Sequence, residues 1–290
     1  MSEPAAFTEL NRQHQLDISP EHAQYLNQLK REKTAVLATQ IIILVLLVAL
    51  WEILARFYII DPFITSQPSR IVNTIVLLFS EGVLFHHIGV TCVETIIGFL
   101  LGTVCGVLCA IILWWSRFLS AVSEPYLVVL NSLPKIALGP VFIVWIGAGP
   151  AAIIVMTLAI SLIVTILEVF NGFMGVDKEK IKLVQSFGGS KYQVLSKVLL
   201  PASFPSIINA LKVNVGLSWV GVIVGEFLVS KAGLGYLIVY GGQVFKLDLV
   251  MTSVVILGIA AMLMYQGVVW FEGYVLRKNG HRQGEEKKWQ

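Results

Sequence analysis

The chain has 290 residues, of which 56% are apolar and only 13% are charged. A soluble domain needs charge on about a quarter of its residues to keep its surface in water, so an ordinary soluble enzyme, a disulfide scaffold and a disordered tail protein are excluded. Net charge is only +3, too little for a nucleic-acid surface, and a mean hydropathy of +0.79 puts most of the chain in lipid.

Residues 1–36 are polar, with Pro4, Asp17 and the cluster Lys30-Arg31-Glu32-Lys33 before any apolar run. They carry no cleavable leader, so the first span acts as an uncleaved signal. Ser19-Pro20-Glu21 reads as a helix start, with a capping serine, a proline at the first position and an acid on the positive end of the dipole. Tyr25, Leu26 and Leu29 give this short cytoplasmic helix one apolar face.

A transmembrane helix needs about 20 mostly apolar residues. Six segments qualify: residues 37–57, 88–113, 122–146, 150–172, 205–229 and 249–270. Trp51, Phe57, Tyr58 and the pair Trp114-Trp115 fit aromatic belts at span ends. Residues 71–79 are too short to cross and read as an interfacial helix with Ile71, Ile75, Leu78 and Phe79 on one face, capped by Ser69 and ended by Gly82. The third span is interrupted by Asn131-Ser132-Leu133-Pro134-Lys135 and by Gly139-Pro140. The whole is an all-α, polytopic membrane helical bundle.

Cytoplasmic loops carry the excess of Lys and Arg. With the N-terminus inside, the inner segments hold Arg12, Lys30, Arg31, Lys33, Arg117, Lys178, Lys180, Lys182, Lys191, Lys197, Arg277, Lys278, Arg282, Lys287 and Lys288. The outer segments hold only Arg56, Arg70, Lys231 and Lys246. Both termini are therefore expected in the cytoplasm, with residues 277–290 as a basic tail.

Lipid gives no hydrophobic reward for helix association, so close packing calls for small residues on one face. Gly98, Gly102, Gly106 and Ala110 recur every four residues in the second span, and Gly221 and Gly225 follow Gly216 in the fifth. They read as contact seams, within the subunit or across a dimer. Cys92, Cys105 and Cys109 share one apolar stretch and read as small packing residues. His86-His87 reads as part of a solvated outer loop, and no metal site is expected.

Charged and amide side chains inside spans are costly and face a cavity or a partner. They are Glu94, Asn131, Lys135, Glu168, Asn171, Asn209, Lys212, Asn214 and Glu226. Lys135 sits between two prolines, where a kink and freed carbonyls suit a cavity wall. One reading has Lys135, Asn131, Asn209, Lys212 and Glu226 lining a pathway for an anion. The other is an intramembrane ion pair, for example Lys135 with Glu94.

Residues 173–204, between the fourth and fifth spans, are far longer than a connector of two to eight residues. They read as helix, turn, helix: Asp177 caps the first helix, Gly188-Gly189-Ser190 breaks it, and Ser190 caps the second. Tyr192, Val194, Leu195 and Val198 make that second helix amphipathic, stopping before Leu200-Pro201. A stiff amphipathic element below a membrane bundle suits docking to a soluble partner.

These residues resemble the coupling loop of permease subunits of binding-protein-dependent ABC importers, whose pattern runs Glu-Ala-Ala, three residues, Gly, nine residues, Ile, one residue, Leu-Pro. Here Gly188 is followed after nine residues by Val198, Leu199 and Leu200-Pro201, with Ser190 and Gln193 at familiar places. Lys182, Leu183 and Val184 stand at the Glu-Ala-Ala positions, and Glu179, one turn earlier, could substitute for the acid. Residues 133–140, 141–147, Gly225-Glu226-Phe227 and Gly233-Leu234-Gly235-Tyr236 resemble the sulfonate, nitrate and taurine branch.

The resemblance covers about residues 51–276 and implies the type I ABC importer permease fold in a bacterial inner membrane. It implies a second permease copy as a homodimer, two cytoplasmic ATPase subunits and an extracytoplasmic substrate-binding protein. No Gly-x-x-x-x-Gly-Lys-Ser/Thr occurs in the chain, so ATP and Mg are expected on the partner ATPase and no cofactor on this chain. The implied role is a non-enzymatic permease subunit for an anion such as a sulfonate, nitrate or taurine. A heterocyclic vitamin precursor of thiamine-pyrimidine or riboflavin type is the alternative cargo. A secondary transporter or channel working alone and a membrane-embedded enzyme are the rival classes; the scattered acids Glu94, Glu168 and Glu226 argue against the latter.

Overall fold

The computed structural model describes residues 20–286, and the described residues form helices joined by short turns, without strands. The chain divides into two compact units, residues 1–62 with 67–69, and residues 63–66 with 70–290. The helix start expected at Ser19 lies outside the described residues.

In the first unit, α1 (Pro20–Arg56) is one unbroken helix of 37 residues. The separate short helix expected before residue 37 does not form, because nothing between Lys30 and Lys33 breaks helical geometry. Apolar side chains along its length, Leu37, Ile41, Leu44 and Leu47, are more than half exposed, as befits a surface solvated by hydrocarbon. Ser69 belongs to this unit and is not the N-cap expected of it: its helix begins at Pro68. The Ser69 N–H, one of the free donors of a first turn, instead donates to Glu52 Oε2 at 3.0 Å, and its hydroxyl donates to Oε1 at 2.9 Å.

The helices α2 (Pro62–Thr65) and α3 (Pro68–Ser80) begin in residues of the first unit and continue in the second, where α4 (Leu84–Trp115) follows. Ile71 and Leu78 of α3 are buried, but Phe79 is 60% exposed and does not share their face. It meets Phe85 edge-on instead. The centre of the unit is α7 (Pro150–Met174), packed between α4 and α11 (Phe204–Val229).

The small residues explain that packing. A methyl group added at Gly98 would fall 2.6 Å from Thr157 Cγ2, at Gly102 2.6 Å from Ser161 Oγ, and at Gly106 2.6 Å from Thr165 Cγ2. A ladder of glycines every four residues thus meets a ladder of hydroxyl residues every four residues. Thr157 and Thr165 turn their hydroxyls back to Ile153 O and Ser161 O at 2.8 and 2.9 Å, which leaves their methyls to fill the seam. From the other side Gly221 stands against Thr157 and Gly225 against Ile153, with added methyls 2.6 Å and 3.0 Å from backbone Cα atoms. The seams therefore lie within the subunit. Gly216 has open space around it and is no part of them.

Backbone cannot yield as a threonine rotamer can, so Gly221→Ala is expected to cost more than Gly98→Ala, about 2–3 kcal/mol against about 1 kcal/mol. Thermal unfolding of the two variants in detergent checks the order, and equal losses would refute the distinction.

The third span expected over residues 122–146 is not one helix. It consists of α5 (Arg117–Ser132), a 3₁₀ turn (Lys135–Leu138) and α6 (Gly139–Ile146), bent by 88°. Pro134 forces Leu133 out of helical geometry, to ψ 137. Gly139 then lets the backbone press on α7 and α11, where a methyl would meet Met156 Cε and, at 2.6 Å, Leu228 Cδ1. By length and apolarity the described residues hold five membrane-crossing helices, or six if this bent pair is one span.

Beyond α11 come α12 (Leu234–Gln243) and α13 (Leu247–Glu286). The last helix runs 40 residues and continues past the expected end at residue 270 into the basic segment. Residues 287–290 of the expected tail lie outside the described residues.

Candidate functional site: the helix-turn-helix and the buried carboxylate

The segment between α7 and α11 is built by local capping. Asp177 Oδ1 accepts the Glu179 N–H at 2.8 Å and starts α8 (Lys178–Ser186). At the other end, Gly188 donates to Gln185 O at 3.0 Å and Gly189 to Val184 O at 2.9 Å, a Schellman ending. Gly188 has φ +74, the left-handed conformation that glycine adopts without penalty. Gly189 is held as tightly, since a methyl there would lie 2.6 Å from Val184 O; the pattern of the loop gave no sign of that role.

Ser190 and Gln193 then form a capping box, Ser190 N–H donating to Gln193 Oε1 at 2.7 Å and Gln193 N–H to Ser190 Oγ at 3.3 Å. The second helix does not stop before Leu200-Pro201. It runs through α9 (Lys191–Val194), a π turn (Leu195–Leu199) and α10 (Leu200–Ala202), and ends at Ser203. Pro201 has no N–H for the carbonyl four residues back and its ring crowds that carbonyl. The widened turn, in which Leu200 N–H reaches Leu195 O, accommodates the ring without ending the helix.

The two helices have opposite fates. Val194, Leu195 and Leu199 are buried with Phe173, Val176 and Ala110, and Val198 and Leu200 pack against that cluster. No residue of α8 is buried. Glu179 and Lys182 are exposed, Leu183 is 58% exposed and Phe187, at the tip, is 84% exposed. Pro201 is also exposed. The anchored helix is further tied to the bundle by Lys191, whose ammonium donates to the Trp115 carbonyl at the end of α4 and lies 5.7 and 5.4 Å from the Trp114 and Trp115 ring centroids.

Of the five residues expected along a pathway, Lys135 and Asn131 meet, while Asn209, Lys212 and Glu226 have other surroundings. Lys135 donates to Asn131 O at 3.0 Å, satisfying a carbonyl at the end of α5; it makes no pair with Glu94, because its own helix end is nearer. Lys212 is neutralised by Glu272 of α13 at 2.6 Å, so the intramembrane ion pair exists with a different membership. Asn209 lines a recess of about 750 Å³ with Glu168, Asn171 and Lys180. Glu226 lies 17 residues further along α11, about 26 Å away at helical rise. Asn214, almost fully buried, donates to Thr103 Oγ1 at 2.7 Å and clamps α11 to α4.

Stranding one member of a partly buried pair costs more than removing both. Lys212→Gln is expected to lower stability by about 1–2 kcal/mol, and the double change with Glu272→Gln by less. Loss of transport in a double variant of normal melting temperature would place Lys212 on the pathway.

Glu226 is 1% exposed and closes the far end of the bundle. Its carboxylate accepts from Thr91 Oγ1 at 2.7 Å and from Gly235 N at 2.5 Å, with Tyr236 N–H also facing it. It caps α12 from outside that helix. Thr91 Oγ1 in turn accepts the Leu234 N–H at 2.7 Å, and His87 Nδ1 the Gly233 N–H at 3.0 Å. His86 and His87 are thus in the first turn of α4, not in a loop. Methyls at Gly233 or Gly235 would fall 2.5 and 2.7 Å from Glu226 Oε2, so both glycines make room for the carboxylate. Glu94 lies within hydrogen-bonding reach of Glu226, and its Oε2 is buried without a partner.

Residues 102–280 match the family described as binding-protein-dependent transport system inner membrane component. The chain belongs to that family. It is a multi-pass membrane protein and a transport component, not an enzyme. A Bacillus subtilis permease provisionally named for aliphatic sulfonates transport, SsuC, is 26% identical over 238 residues, covering 82% of this chain and 86% of its own. The formylaminopyrimidine transport permease protein ThiX of Halalkalibacterium halodurans is 29% identical over 191 residues, 66% of this chain and 76% of its own. The fold is that of a chain of the MetNI methionine ABC transporter in its inward-facing conformations, with a TM-score of 0.59, 20% identity, and coverage of 69% of this chain and 97% of that one.

Proposed function

We propose that this permease carries a small sulfonate-class anion and is driven through residues 173–204 by two cytoplasmic ATPase subunits. Its other partners in this reading are a second copy of the chain and an extracytoplasmic binding protein that delivers the cargo. The observation that supports the drive is the asymmetry of the helix-turn-helix. One helix is sunk in the bundle core and tied by Lys191 to α4, while α8 touches that core at its partly buried Ile181 face and is otherwise largely exposed, with Phe187 at its tip. A force on the exposed helix passes into α7 and α11 through the buried one, and two bundle states can be biased only by contacts that differ between them. ATP and Mg belong to the partner in this reading.

Similarity to SsuC over most of both chains supports the sulfonate class. Similarity to ThiX supports a second reading, a neutral aminopyrimidine. Uptake into proteoliposomes holding the assembled transporter, with taurine, an alkanesulfonate and formylaminopyrimidine offered in turn, separates them. ATP-dependent uptake of the pyrimidine alone would overturn the sulfonate assignment.

A further inference from the structure

A cavity of about 750 Å³ lies where the end of α4, the start of α5, the foot of α7 and the helix-turn-helix meet. Its wall is aromatic, from Trp114, Phe170 and Phe173, and its rim is basic, from Arg117, Lys182 and Lys191, with Lys178 beside them. Glu124 is the single acid in the lining. Among the described residues, none of the four cations is ion-paired with a carboxylate. Lys191 uses one N–H on the Trp115 carbonyl and keeps two donors free.

Three features choose the ligand. Four unpaired cations against one acid call for an anion. The aromatic and aliphatic wall is wasted on a bare ion and suits hydrocarbon. The cavity also sits where the apolar run of α4 ends in Trp114-Trp115, at the level where tryptophans mark a membrane interface. Basic pockets at that level between helices are suited to acidic lipid heads. We propose that this cavity holds the head and upper acyl chain of an anionic phospholipid. The lipid phosphate then bridges Arg117 of the bundle and Lys182 of the largely exposed α8, which otherwise rests on the bundle through Ile181, bracing the helix-turn-helix against the helix ends above it. The site is independent of which cargo is carried.

The test is lipid retention by the purified full-length chain in detergent, read by native mass spectrometry after titration with phosphatidylglycerol or phosphatidylcholine. Phosphatidylglycerol is expected to be retained in preference, with Arg117→Gln and Lys182→Gln each weakening retention about five-fold. Glu124→Gln is expected to strengthen it, and Lys231→Gln, at the opposite end of α11, to leave it unchanged. Should Arg117→Gln fail to fold, Lys182→Gln on the exposed helix carries the same prediction. Equal retention of the two lipids overturns the proposal. So does displacement of phosphatidylglycerol by millimolar glycerol phosphate, which would make this a site for a free anion.

Discussion

Replacing Glu226 with alanine is expected to lower the stability of the detergent-solubilised chain by about 2–3 kcal/mol, one of the largest losses from any single polar side chain here. The change leaves Gly235 N–H without the acceptor that holds it at 2.5 Å, and leaves the Thr91 hydroxyl, now 2.7 Å from the carboxylate, only the longer 3.3 Å contact to the His87 carbonyl. Neither can turn to water, since Gly235 and Thr91 are both buried. A stranded donor costs its desolvation in full, although single polar contacts between membrane helices contribute modestly, which sets the range. Glu226→Gln keeps one acceptor oxygen and should lose about half as much. Gly233→Ala is expected to be as harmful as Glu226→Ala, because φ is +110 and the added methyl runs into the carboxylate. Combined with Glu226→Ala, its steric part vanishes, so the two changes should be sub-additive. Additive losses in thermal unfolding would show that the carboxylate and the glycine act separately.

That cluster also marks the limit of what the amino-acid pattern reveals. Gly225-Glu226-Phe227 and Gly233-Leu234-Gly235-Tyr236 are visible as motifs, and Glu226 stands out as an acid in an apolar run. Nothing in their spacing says that the carboxylate caps the helix that follows, because the turn at Ser230–Gly233 decides where the chain returns. The glycine ladder of α4 was legible for the same reason that it works, small residues every four positions on one face. Its complement, Thr157, Ser161 and Thr165, was not, since a hydroxyl ladder in an apolar helix has no unique partner until the helices are placed.

The charged residues show the same division. Lys135 looked like a cavity wall or a partner for Glu94, yet the free carbonyl of Asn131 four residues away satisfies it. Local competitors win over distant ones whenever a helix ends nearby. Lys212 found Glu272, a residue beyond the expected end of the last span, because α13 continues as helix well past residue 270. The interruption at residues 131–140 was plain, but its 88° bend depends on how closely Gly139 approaches α7 and α11, a tertiary fact.

Phe187→Ala is expected to leave folding intact and to cut ATP-driven uptake by the assembled transporter at least ten-fold. The side chain is 84% exposed, so its removal takes nothing from the core and should move the melting temperature by little. A large exposed apolar side chain at the tip of a short capped helix is the kind of anchor that fills a partner's pocket and carries much of its binding energy. Gly188→Val tests the same tip through the backbone. No atom lies within 4 Å of the added Cβ, so the cost is conformational: a β-branched residue forced to φ +74 loses about 1–2 kcal/mol, enough to reopen the Schellman ending and re-aim Phe187. Both variants should still insert and retain the ion pair of Lys212 with Glu272, Phe187→Ala melting near the parent and Gly188→Val a few degrees below it, while ATPase activity no longer responds to cargo. The control is Tyr192→Ala, which removes a 67% exposed ring from the anchored helix and leaves the tip alone; it should have the smaller effect. Full uptake by Phe187→Ala, or an equal loss from Tyr192→Ala, would move the point of drive away from the tip and onto the whole face of the segment.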